Sequence, residues 1–175
     1  KDTEALKGLD RKKIMAGFEA LMNKKYLKIT EAYKAEGETF MTANKKKQGV
    51  ITTASGLQYT VIKEGKGPKP KLDSRVKMSY IGMNTDGSIF DQSPAGDGVS
   101  FGLTEVIPGW TEALQLMSVG SKIRLFVPQE LGYAGNPPQG ANIKPYAPLI
   151  FEMELMAIEK ATAPNTAMPQ PIQTP

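Results

Sequence analysis

Residues 9–47 contain no proline and place Ile14, Met15, Phe18, Leu21, Met22, Tyr26, Ile29, Tyr33 and Phe40 at steps of three and four. That period predicts one helix with a narrow apolar stripe, the other faces being filled by Lys, Glu and Asn. Gly17 and Gly37 weaken it by about 1 kcal/mol each. At 1.5 Å per residue such a helix extends about 55–60 Å. That is too long to fold back over a small domain. The stripe is therefore either the wet side of a stalk that packs only near its end, or a dimerisation surface. The sequence supports both equally.

The charge follows the same division. Residues 1–48 carry 12 Lys/Arg and 7 Asp/Glu, whereas residues 49–175 carry 10 and 11. The basic excess belongs to the helical segment, where a solvated face explains it better than nucleic acid does. The Lys residues are scattered around the helix and no nucleic-acid-reading motif accompanies them. No run of 18 apolar residues occurs, so no transmembrane helix is expected. The first ten residues, KDTEALKGLD, have no apolar core of signal-peptide length, and a leader already removed would leave no trace.

The pattern changes after residue 48. Residues 49–56 read as a linker, and from Leu57 onward the apolar residues alternate. Strands are expected over 57–63, 75–82 and 121–127, with a short one at 99–103 and a last one at 149–158. Asp86-Gly87 marks a hairpin turn, with Ile89 and Phe90 starting the return strand. Residues 109–117 form a short amphipathic helix presenting Trp110, Ala113, Leu114 and Met117 on one side. Residues 132–148 form a Gly/Pro-rich loop. The expectation is an α+β domain over 57–159, a twisted antiparallel β-sheet wrapped around one short helix. Residues 160–175 hold four prolines with Thr, Ala and Gln but no apolar period, which reads as a disordered tail.

Composition removes most enzyme chemistry. The chain has no Cys and no His. Disulfides, thiolate nucleophiles, Ser-His-Asp triads and Cys- or His-ligated metals are excluded. What remains is apolar. Tyr80, Phe90, Phe101, Val106, Ile107, Trp110, Tyr133, Ile143 and Phe151 recur at element ends and in loops, with Asp91 beside Phe90. Taken singly, each is more often a core residue than a site residue.

Three strings carry more: YIGMNTDGSIFDQS, then VIPGWTEALQLMSVGSKIRLFVPQELGYAG, then PLIFEMELMAI. Together, in order and at this spacing, they resemble the FKBP family of prolyl isomerases over residues 55–159. The stretch YKAEGETFMTANKKKQGVITTASGLQYTVIKEG is similar to the macrophage infectivity potentiator (Mip) branch, whose members place a long helix before the FKBP domain. The resemblance implies a pocket between helix and sheet. Trp110 would be its floor. Tyr80, Phe90, Val106, Ile107, Tyr133 and Phe151 would be its walls, and Phe101 and Ile143 its rim. Asp91 would be the acidic group facing in. The Ile107 N–H and the Tyr133 hydroxyl would bond substrate carbonyls. No cofactor or metal is implied.

By the same resemblance the partners are proline-containing polypeptides and the macrolides tacrolimus and rapamycin. The location is periplasmic, cell-surface or secreted, and a helix-mediated homodimer is open. Two stretches depart from the family. Many relatives carry an Arg shortly after the Phe-Asp pair, where this chain reads QSPAGDG. Some have His in the last loop, where this chain has Tyr146. The alternative to catalysis is a proline-binding module or chaperone without turnover.

Overall fold

The structure, a computed structural model, describes residues 11–159. The expected tail over 160–175 and the start of the first helix lie outside the described residues.

Helix α1 spans Arg11–Asn44 and is about 51 Å long. It stops three residues short of the expected end. There the last turn tightens to i→i+3 bonds from Lys46 and Lys47, and Gly49 turns the chain at φ 81°. Its buried residues are Thr30, Gly37 and Asn44, seven apart. These small or polar residues lie beside the apolar stripe rather than on it: Gly37 comes close to Pro148 and Tyr146, and Asn44 hydrogen-bonds Gln58 of the sheet. Tyr33 and Phe40 are half-buried, whereas the stripe from Ile14 to Ile29 is exposed, Phe18 at 57%. Within this chain, α1 packs only near its C-terminal end.

Strands follow as β1 (Ile51–Thr52), β2 (Gln58–Lys63), β3 (Arg75–Met83), β4 (Ile89–Gln92), β5 (Val99–Gly102), β6 (Lys122–Val127) and β7 (Leu149–Glu159). The strand β1 lies inside the stretch read as a linker. It pairs with β2 through Ile51↔Tyr59 and Thr52↔Gln58. Two residues with no alternation of their own give no strand signal. The sheet order is β1-β2-β6-β7-β3-β4, all antiparallel, with β5 also on β3. The β3–β4 hairpin closes at the expected Asp86-Gly87, where Gly87 takes φ 86°.

Helix α2 (Pro108–Leu116) packs against the inner face of this sheet. Along β7, Leu149, Phe151, Met153 and Leu155 are buried, while Ile150, Glu152 and Glu154 alternate with them on the wetter side. They meet Leu114, Ala113, Trp110 and the inward residues Val76, Met78 and Tyr80 of β3 in one core. Burying each large side chain contributes about 1.5–3 kcal/mol. On the outer face Glu152 accepts hydrogen bonds from Arg124 and lies 3.7 Å from Lys122, which lowers its carboxyl pKa. Among the described residues no helix is long and apolar enough to cross a membrane.

Candidate active site

Two elements meet to form the site. Ile107 caps α2, its carbonyl accepting the N–H groups of Trp110 at 2.9 Å and Thr111 at 3.1 Å. Pro108 at the first turn suits a position whose N–H has no helical partner. The Thr111 hydroxyl donates to the Leu103 carbonyl at 2.6 Å and ties this helix start to the chain after β5. Trp110 is thereby aimed at the concave side of the sheet.

Three rings face the indole edge-on. Their centroids lie 4.9 Å away for Tyr80, 5.0 Å for Phe151 and 5.6 Å for Phe101. Phe90 adds an edge to Phe151 at 5.6 Å. Such T-shaped pairs match the positive ring edge to the negative face. Trp110 is 6% exposed, and its Nε1–H has no partner among the described residues. Val106, Ile107 and Tyr133 are half-buried against the same cluster. Ile143, expected at the rim, is buried and belongs to the core cluster.

The polar groups are few. The Tyr80 hydroxyl donates to Asp91 Oδ2 at 2.8 Å. Asp91 itself is exposed at the end of β4, so its carboxylate reaches the cluster from the edge rather than from within. Burial first, then the bond to and charge of Asp91, raise the Tyr80 phenol pKa. Burial and the Asp91 charge raise that of Tyr133. Both phenols therefore remain protonated donors at neutral pH. The Ile107 N–H has no backbone partner among the described residues and is free to donate.

Gly82 is the residue the sequence reading missed. A Cβ there would lie 2.7 Å from Phe90 Cε2 and 2.9 Å from Phe151 Cε1. Its lack of a side chain lets these two rings meet across β3. The signal was present, since a lone glycine inside a strand pattern marks close approach.

The indole and the rings around it form an apolar aromatic cluster, bordered at one edge by the Tyr80–Asp91 hydrogen bond. Comparison with known proteins identifies the class. The family model of the FKBP-type peptidyl-prolyl cis-trans isomerase matches residues 67–156. That of the domain amino terminal to FKBP-type peptidyl-prolyl isomerase matches residues 1–61. The chain belongs to the FKBP-type peptidyl-prolyl cis-trans isomerase family.

It is 49% identical over 129 residues to the FKBP-type isomerase FkpA of Aeromonas hydrophila, covering 73% of this chain and 47% of that protein. It is 43% identical over 152 residues to the outer membrane protein MIP of Legionella longbeachae, covering 86% of this chain and 63% of that protein. The crystal structure of FkpA from Escherichia coli superposes with a TM-score of 0.73 at 34% identity, covering 88% of this chain and 75% of that one. The chain thus spans about half to just under two thirds of the length of these curated relatives.

Proposed function

We propose that this chain accelerates cis–trans rotation of X–Pro bonds in polypeptides. The observation that carries the reading is the Trp110 indole, in T-shaped contact with Tyr80, Phe101 and Phe151 and bordered by the Tyr80–Asp91 hydrogen bond.

An X–Pro bond resists rotation by about 18–20 kcal/mol because resonance stiffens C–N. At the twisted transition state that resonance is lost, the carbonyl becomes ketone-like and the nitrogen pyramidal. A dry cavity disfavours the polar planar amide relative to the twisted form. Complementarity to the twisted ring adds selectivity for the transition state. Trp110 supports the pyrrolidine ring, and Phe90, Val106 and Phe151 exclude water around it. The Ile107 N–H and the Tyr133 hydroxyl hold the flanking carbonyls. Asp91 orients Tyr80 and places a carboxylate beside the rotating carbonyl. No bond forms or breaks, which suits a chain without His or Cys.

The same site accommodates macrolide inhibitors such as rapamycin. The likeness to a protein named for the outer membrane supports export to the periplasm or cell surface. The exposed stripe from Ile14 to Ile29 suits association through α1, which light scattering measures.

The test is a protease-coupled isomerisation assay on a Leu-Pro peptide. Acceleration abolished by rapamycin is expected. Binding of the peptide without acceleration would assign the site to proline recognition alone.

A further inference from the structure

We infer that Tyr146 is a positioning residue through which helix α1 holds the loop carrying Tyr133 in its working place. The inference rests on the isomerase reading, because the place of Tyr133 matters only if it meets substrate.

The contacts form a continuous series. On α1, Lys34 Nζ sits 4.4 Å from the Tyr146 ring centroid. One turn on, a Cβ at Gly37 would lie 3.0 Å from Pro148 Cδ and 3.3 Å from the Tyr146 carbonyl oxygen, so the helix touches this loop with bare backbone. Tyr146 in turn grips the other limb of the loop. Its N–H donates to the Ala134 carbonyl at 2.7 Å, and its hydroxyl lies 2.7 Å from where a Cβ on Gly135 would be. Ala134 follows Tyr133 directly.

The backbone shows why an external support matters here. Among the described residues, Ala134 at φ 50° and Tyr146 at φ 61° are the non-glycine residues in the left-handed region. They are bonded to each other. Such conformations persist where the surroundings over-determine them, and α1 is part of those surroundings. Helix and loop do not fuse into one core. A cavity of about 110 Å³, lined among others by Tyr33, Glu36, Asn84 and Lys144, lies between them. The Lys144–Glu36 pair that spans the junction is exposed and contributes little. The helix therefore bears on the loop through a few points, of which Gly37 and Lys34 address Tyr146.

Two glycines of the same helix provide a matched test. Gly37→Leu and Gly17→Leu both raise helix propensity, but only the first inserts atoms into the loop, since nothing lies within 4 Å of Gly17. In the full chain, Gly37→Leu is expected to lower kcat/KM toward a Leu-Pro peptide about 10- to 100-fold and to shift the amide resonances of Tyr133, Ala134 and Gly135. Gly17→Leu changes neither. If Gly37→Leu proves poorly folded, Lys34→Met on the helix surface replaces it. Its expected loss is about two- to fivefold, restored by Lys34→Arg.

Wild-type activity in both Gly37→Leu and Lys34→Met overturns the inference, whether or not the resonances move, and so does a loss in Lys34→Met that Lys34→Arg fails to restore. A wild-type chain inactive on every X–Pro peptide overturns the isomerase reading instead, and the role of Tyr146 with it.

Discussion

The hydroxyl of Tyr80 and the carboxylate of Asp91 are joined at 2.8 Å across the β3–β4 hairpin, from strand positions eleven residues apart. The QSPAGDG stretch after the Phe-Asp pair holds no arginine, and the side chain that donates to the acid is the Tyr80 phenol. Asp91→Val removes the acceptor and leaves a half-buried hydroxyl unpaired. Because Asp91 is exposed, the fold should lose no more than about 1 kcal/mol, while kcat/KM falls about tenfold. Urea denaturation and the peptide assay, run on one preparation, separate the two.

Trp110 should show the reverse balance. It is 6% exposed and touches three rings, so Trp110→Leu opens a cavity and costs about 2–4 kcal/mol. Trp110→Phe, which like the leucine variant lacks the Nε1–H, keeps a ring against Tyr80, Phe101 and Phe151 and so loses less packing. The phenylalanine variant should melt above the leucine variant by calorimetry, with both below wild type in activity.

The raised phenol pKa values of Tyr80 and Tyr133 set an alkaline limit. The folded chain holds these two protons to higher pH than the unfolded chain. Their contribution is therefore complete below about pH 10 and is lost as pH rises above it. The urea midpoint should fall between about pH 10 and 11, and less steeply in Tyr80→Phe. With no histidine in the chain, activity should stay level from about pH 6 to 9. A bell-shaped profile in that interval would contradict the assignment.

At the base of α1, Asn44 Nδ2 donates to Gln58 Oε1 at 3.0 Å, and Gln58 Nε2 donates to the Met41 carbonyl at 2.9 Å, both side chains being buried. Asn44→Ala strands the Gln58 oxygen and should cost about 1–3 kcal/mol. Hydrogen exchange should then quicken at the C-terminal end of α1 before it does so in β6 and β7.

Periodicity made much of this fold legible. The alternation in residues 149–158 marked a strand with one buried face, and Leu149 to Leu155 bury that face. Trp110, Ala113, Leu114 and Met117 could be assigned to one side of α2 because 3.6 residues per turn puts them there. The candidate site was legible differently, through a resemblance carried by short strings such as VIPGW, since an aromatic residue considered alone looks like any core residue.

What the chain determined unaided was the local part: a basic helix without proline, an alternating sheet, a hairpin at Asp86-Gly87, and chemistry restricted by the absence of His and Cys. Those follow from near neighbours and from composition, which a linear string contains in full. Only the tertiary structure decided which face of α1 docks, that Gly82 must be bare for Phe90 and Phe151 to meet, that Asp91 answers to Tyr80, and that Tyr146 lies between a helix and Tyr133. Each depends on atoms far apart in sequence brought within a few ångströms, and such distances are set by packing of the whole domain rather than by the period of any segment.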